Sequence, residues 1–170
     1  LDSSYSDAFY NLSEVHKALK NYDKSIYYRQ RGLLFDPTNV EQINSLGSLY
    51  LLTDRPNEAR QQFEKAKSVT PTTEYSFQGM IEYHFYTKDL TKAEQELTSY
   101  LGLYPEDNYA YYLLASIAIQ TKRLADCHRH IEQAFKLGFK DRDVIEKDEN
   151  FKAFVEGAEY KRLVQQYFQK

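Results

Sequence analysis

Apolar side chains recur along this chain at helical spacing, and the recurrence itself repeats. Phe9 with Leu12, Ile43 with Leu46, Phe77 with Met80 and Tyr111 with Leu114 form pairs three residues apart, each pair 34 residues after the last. Ser13, Gly47, Ile81 and Ala115 follow, then His16, Tyr50, His84 and Ala118. The second half of each unit carries Ser25, Ala59, Ala93 and Cys127, then Arg29, Phe63, Leu97 and Ile131, then Gly32, Ala66, Tyr100 and Ala134. Steps of three, four and seven place residues on one face of an α-helix. They occur twice per period, so each unit predicts a hairpin of two helices.

Pro37, Pro71 and Pro105 keep the same 34-residue step, and Leu1-Asp2-Ser3 parallels Phe35-Asp36-Pro37 one step earlier. Proline cannot donate the helical hydrogen bond and turns its predecessor away from helix, so each proline marks the end of a second helix. Asn21-Tyr22-Asp23, Asp54-Arg55-Pro56-Asn57 and Lys88-Asp89-Leu90-Thr91 fall at the turn inside a unit, where Asn, Asp and Thr accept orphan N–H groups. Thr38 with Glu41, and Thr91 with Glu94, have capping-box spacing. The predicted helices span about 7–20, 23–35, 40–53, 57–69, 74–87, 91–103, 108–121 and 125–137.

These columns resemble the tetratricopeptide repeat family. The second unit is the best match, with Ile43, Leu46, Gly47, Tyr50, Ala59, Phe63, Ala66 and Pro71. The resemblance covers residues 1–139 as four units, about 6–39, 40–73, 74–107 and 108–139. Four positions depart from it: Arg29 stands where an apolar residue is usual, Ile81 where a small one is, Tyr100 where alanine is, and Phe139 replaces the closing proline. The resemblance implies an all-α, right-handed superhelical solenoid of antiparallel helical hairpins, with the first helix of each unit lining an inner wall.

Residues 140–170 break the period. Phe139, Val144, Ile145, Phe151, Phe154 and Val155, then Tyr160, Leu163, Val164, Tyr167 and Phe168, are apolar among charges. The last hairpin of a repeat stack leaves an apolar face, so this segment is expected to cap it. Gly138, Asp141, Asp148, Phe151 and Phe154 also resemble an ending common after bacterial repeats of this type. No such cap precedes the first hairpin. Ala8 and Val15 are expected on an uncovered edge, as if the chain were cut from a longer array.

Composition narrows the function classes. Of the 170 residues 42% are hydrophobic and 28% charged, a folded rather than a disordered profile. The formal charge is −3, and the first 85 residues hold 9 basic and 11 acidic side chains, without a basic run. That argues against nucleic acid, whose phosphates call for a basic surplus. No apolar stretch approaches the roughly 20 residues that span a bilayer, so membrane insertion is not expected. The single cysteine, Cys127, rules out an intrachain disulfide.

The candidate site is the inner wall that the resemblance implies. Its columns hold Tyr10, Asn44, Gln78 and Tyr112; Glu14, Ser48, Glu82 and Ser116; Lys17, Leu51, Phe85 and Ile119; and Asp7, Glu41, Tyr75 and Tyr109. Such a wall holds an extended or helical peptide. The expected peptide-binding residues are Tyr10, Glu14, Lys17, Glu41, Asn44, Ser48, Tyr75, Gln78, Glu82, Tyr109 and Tyr112. Their tyrosines offer rigid area with a polar tip. Asp7, Glu14, Glu41 and Glu82 against Lys17 make the wall mildly acidic, favouring a basic or aromatic-bearing ligand. Family members that clamp a chaperone's C-terminal carboxylate use cations where this chain has Asp7, Tyr10, Tyr75 and Gln78, so no clamp of that kind is expected.

Other chemistry is thin. Cys127, His128 and His130 are one and two apart, which points them different ways along a helix, so no metal site is expected. His16 and His84 are expected to pack. Asn11-Leu12-Ser13 matches a glycosylation sequon, but Leu12 is expected in the core. No phosphate loop, H-E-x-x-H or G-x-S-x-G motif is present, and neither a catalytic constellation nor a cofactor is expected. The leading reading is a non-enzymatic interaction scaffold. The alternatives are a regulatory or targeting domain of a larger enzyme or signalling protein, and a module that self-associates through the uncapped first hairpin.

Overall fold

The computed structural model describes residues 3–168. Leu1 and Asp2, and so most of the Leu1-Asp2-Ser3 parallel, lie outside the described residues. Every described element is helical: α1 (Ser3–Ala18), α2 (Tyr22–Leu33), α3 (Val40–Leu52), α4 (Pro56–Val69), α5 (Glu74–Tyr86), α6 (Leu90–Leu103), α7 (Asn108–Gln120) and α8 (Leu124–Lys136). Then come α9 (Asp143–Glu146), a 3-10 turn (Glu149–Phe151), α10 (Lys152–Glu156) and α11 (Ala158–Phe168). The first eight fall within a residue or two of the periodicity's prediction, except that α1 begins earlier, at Ser3.

The chain forms two compact units, one ending at Glu96 and the other beginning at Leu97. In the first, α1 pairs with α2 and α3 with α4, α2 packs on α3, and α5 packs on α3 and α4. Its core contains Ile26, Ile43, Leu46, Leu49, Ala59, Phe63 and Ala66. Phe63 is fully buried, and its ring lies where a side chain at Gly47 or Gly79 would otherwise sit. Two helices therefore approach α4 closely because they present glycine to it.

The first hairpin is held differently. Its matching columns are Ser13, Ser25, Arg29 and Gly32, and the hydroxyls of Ser13 and Ser25 exchange hydrogen bonds with each other's backbone carbonyls at 2.9 Å. Ser6 Oγ donates to the Gly32 carbonyl and accepts from Gln42 Nε2. Leu12 was placed in the core by its column but is 42% exposed, against 3% for Leu46 and 6% for Leu114. Among the described residues no helix precedes α1 to cover it, and Ala8 and Val15 are exposed as expected. Ser13, the sequon's hydroxyl, is buried.

In the second unit α7 pairs with α8, and α11 packs on α8. Cys127, Ile131, Ala134 and Phe135 join Ile145, Phe151, Phe154, Tyr160 and Leu163 in one core, so the segment after residue 139 completes it. Asp148 caps the 3-10 turn by accepting from Asn150 N. Phe139 is buried and stacked on Tyr112 at 5.2 Å, which accounts for its standing in the proline's place. Tyr100 stacks on Tyr104 and donates to Asp107, the residue that caps α7.

Helix starts differ from both predicted capping boxes. Thr38 donates to Asp36, and Asn39 caps α3 by accepting from Gln42 N. Asp89, not Thr91, accepts from Lys92 N at the start of α6. α3 begins one position after, and α6 two positions before, where its box would put it, so a different side chain reaches the orphan amide. Asn21 occupies the cap position of α2 without a side-chain bond.

The turns inside the hairpins share a feature invisible to hydropathy. Lys20, Asp54, Lys88 and Lys122 all have positive φ, between 56° and 60°, at the same 34-residue step. Each is followed by a residue whose N–H reaches back five positions: Asn21 to His16, Arg55 to Tyr50, Asp89 to His84 and Arg123 to Ala118. This is the Schellman closure of a helix, ordinarily made with glycine. A side chain in this left-handed region costs roughly 1–2 kcal/mol, partly offset by glycine's greater freedom when unfolded. Lys88→Gly is therefore expected to stabilise the protein by about 0.5–1 kcal/mol, read as a higher midpoint in urea unfolding. Gly138 makes the same turn after α8 at φ 91°.

Candidate functional site

Each first helix of the first unit turns predicted wall residues onto one face, because positions three and four apart align. α1 carries Tyr10, Glu14 and Lys17, α3 carries Glu41, Asn44 and Ser48, and α5 carries Tyr75, Gln78 and Glu82. Contacts join the three helices. Ser48 Oγ donates to Glu82 Oε2 at 2.6 Å, Tyr10 Oη donates to Glu41 Oε1 at 3.4 Å, and Lys17 Nζ lies 3.9 Å from Glu14. Burial pushes the Glu82 carboxyl above its usual range, against the Ser48 hydrogen bond and the positive charge of Lys17. Tyr75, Gln78 and Glu41 are exposed.

The sequence reading missed Arg29. It reaches from α2 to the same face, where Nη2 bonds Glu14 Oε1 and the guanidinium lies 4.0 Å over the Tyr10 ring. The wall therefore holds two cations rather than Lys17 alone, and the Glu14 charge is already countered. The only sequence signal was an arginine in a column otherwise filled by Phe63, Leu97 and Ile131.

Four other positions correct the expected exposure. Asn44 is 95% buried by its 5% relative exposure, and its Oδ1 lacks a hydrogen-bond partner. Leu51 is buried in the core. Tyr112, in the second unit, is half-buried between Phe139 and Phe151, so the segment after the repeats occupies its face. Ser116 is buried too, whereas Tyr109 stays exposed.

Cys127 is fully buried as its column implies, and burial pushes its thiol up to about 12, far from a reactive thiolate. His128 faces Glu159 at 3.1 Å. His84 is buried with Nδ1 unpartnered, and burial lowers its pKa. Among the described residues no three His, Cys, Asp or Glu side chains gather as a metal site would need, and no helix is long and apolar enough to cross a membrane.

The family model that matches the chain is the tetratricopeptide repeat, over residues 43–73. Those residues run through α3 and α4, where Phe63 packs against Gly47. Residues 43–73 thus match a tetratricopeptide repeat. Its fold agrees with solved structures at low identity: MamA from Desulfovibrio magneticus RS-1 (TM-score 0.71, 14% identity, 98% of each chain) and PilF of Pseudomonas aeruginosa (0.78, 17%, 96% of this chain and 73% of that one). YrrB, a tetratricopeptide-repeat protein with an unusual peptide-binding site, aligns at TM-score 0.61 and 14% identity over 95% of this chain and 80% of its own. No curated protein matches the sequence. The fold class is thus an all-α solenoid of tetratricopeptide-repeat type, whose stacked hairpins present extended surfaces suited to protein partners.

Proposed function

We propose that the protein is a non-enzymatic interaction scaffold that binds a peptide segment on the face shared by α1, α3 and α5. One observation carries the reading: Glu82 keeps a half-buried carboxylate at the centre of that face, held by Ser48, at a cost in desolvation. A carboxyl whose pKa is raised by burial, beside a specific hydrogen-bond partner, is characteristic of functional sites. With Glu14 paired to Arg29, Glu82 and exposed Asp7 and Glu41 are acceptors for a ligand's lysine or arginine, and exposed Tyr75 supplies the flat contact area. A peptide role is supported by YrrB, whose similar fold is described as carrying an unusual peptide-binding site.

The pH sign follows from the raised carboxyl. Its contribution to stability is full below about 4.5, the free value, and is lost as pH rises through the higher folded value. Glu82→Gln is expected to be more stable than wild type at neutral pH and to bind less well. The test selects peptides from a displayed random library on the whole chain. Enrichment of lysine or arginine is expected, with at least about a tenfold loss of affinity in Glu82→Lys and in Tyr75→Ala. Acidic winners indifferent to Glu82→Lys would overturn the reading.

The exposed stripe on α1 favours a second reading, self-association. Leu12, Val15 and Leu19 are 42%, 56% and 70% exposed along one helix face. On that reading the mass in solution rises with concentration, and Val15→Glu abolishes the rise. A mass that stays monomeric throughout would exclude it.

A further inference from the structure

The Arg29 side chain is fully buried, yet only one of its nitrogens has a hydrogen-bonding partner: Nη2, on Glu14. Nε and Nη1 are buried and unpaired. Buried donors left unmade are costly and are rare in folded proteins, so a pair of them on one guanidinium calls for an occupant. The Tyr10 ring covers one face of the group and its hydroxyl also interacts with the guanidinium, yet Nε and Nη1 keep no acceptor.

Glu14 is a partly exposed occupant. Its side chain is 39% exposed, it meets the guanidinium through one oxygen, and Lys17 stands 3.9 Å away on the next turn to receive it. A guanidinium is a planar fork suited to a carboxylate that takes two parallel N–H bonds. A second carboxylate in Glu14's place would fill two donors where Glu14 fills one, and Glu14 would turn to Lys17. Arg29 stays countered by one negative charge throughout.

We propose that Arg29 is a masked carboxylate subsite, with Glu14 as an internal occupant that a ligand's carboxylate displaces. The proposal rests on the reading of this face as the ligand-binding one, and adds that the ligand carries an acid as well as a base: the base at Glu82, the acid at Arg29. The cation comes from a second helix and lies beneath Tyr10, so the first-helix columns of the wall do not reveal it.

The test follows the Arg29 Nε–H resonance by NMR in the isotope-labelled full chain. N-acetylglycine offers a C-terminal carboxylate, N-acetylaspartate α-amide a side-chain carboxylate, and N-acetylglycinamide neither. A carboxylate probe is expected to move the resonance in wild type, and the stronger of the two names the source. Glu14→Gln keeps an oxygen for Nη2 but removes the rival charge, so it is expected to bind the same probe at least about tenfold tighter. Its unfolding midpoint should then rise with added probe. Arg29→Met should lose the binding. A resonance unmoved by both carboxylates in wild type and Glu14→Gln, or moved equally by N-acetylglycinamide, overturns the proposal. If basic peptides still bind through Glu82 while Arg29 is silent, only this subsite falls; loss of both removes the wall reading as well.

Discussion

Phe63→Ala is expected to cost the first unit about 3–5 kcal/mol, the usual range for truncating a fully buried aromatic ring. Native domains hold only about 5–15 kcal/mol in total, so this is a large share. Phe63 is 0% exposed, and its ring fills the space left by Gly47 on α3 and Gly79 on α5. One side chain of α4 thus ties its own hairpin to the following helix. Gly47 and Gly79 have no side chain to move into the cavity. Thermal unfolding should show a midpoint lower by more than about 10 °C. Phe63→Leu, which keeps most of the volume, should lose less than half as much; equal losses would show that filling the space is not what Phe63 contributes.

The second large effect comes from the other side of the same contact. Gly79→Ala would place a Cβ closer than 3.0 Å to both Asn44 Oδ1 and the Phe63 ring. Neither neighbour is free to give way, since both belong to buried residues. Overpacking of this kind costs roughly 1–3 kcal/mol. Asn44 is buried on α3 between Glu41 and Ser48 of the candidate face, so displacing it should weaken peptide binding as well as folding. In a Phe63→Ala background the ring is gone and the penalty should shrink, giving a coupling on the order of 1 kcal/mol in a double-mutant cycle. Strict additivity would assign the obstruction to Asn44 alone.

These two positions show how far hydropathy reaches. Gly47 and Phe63 belong to columns that the 34-residue register exposes, and both behave as the family resemblance implies. Gly79 belongs to no such column. Its glycine matters only because α5 comes against α4, and no local pattern announces that approach. Arg29 is similar: its departure from an apolar column was legible, but the Glu14 and Tyr10 contacts that explain it arise from α1 folding onto α2. Capping was half legible. Polar side chains stand at the helix starts as expected, but the choice between Thr38 and Asn39, or Thr91 and Asp89, depends on one or two residues of backbone register.

The wall divides in the same way. Spacing alone brought Tyr10, Glu14 and Lys17, or Tyr75, Gln78 and Glu82, to one face of a helix, because 3.6 residues per turn is a property of the backbone. Whether a wall tyrosine meets solvent was decided by packing. Tyr75 and Tyr109 remain exposed, while Tyr112 is half-buried under Phe139 and Phe151 from the segment that breaks the repeat. Asn44, expected at the surface, is buried with an unpartnered Oδ1. The repeat period by itself determined the eight helices it marks and the all-α class, since these follow from short-range spacing. Charge balance and exposure on the candidate face came only with the tertiary structure, because both depend on residues far apart in the chain: Arg29 on Glu14, Ser48 on Glu82, and Phe139 and Phe151 on Tyr112.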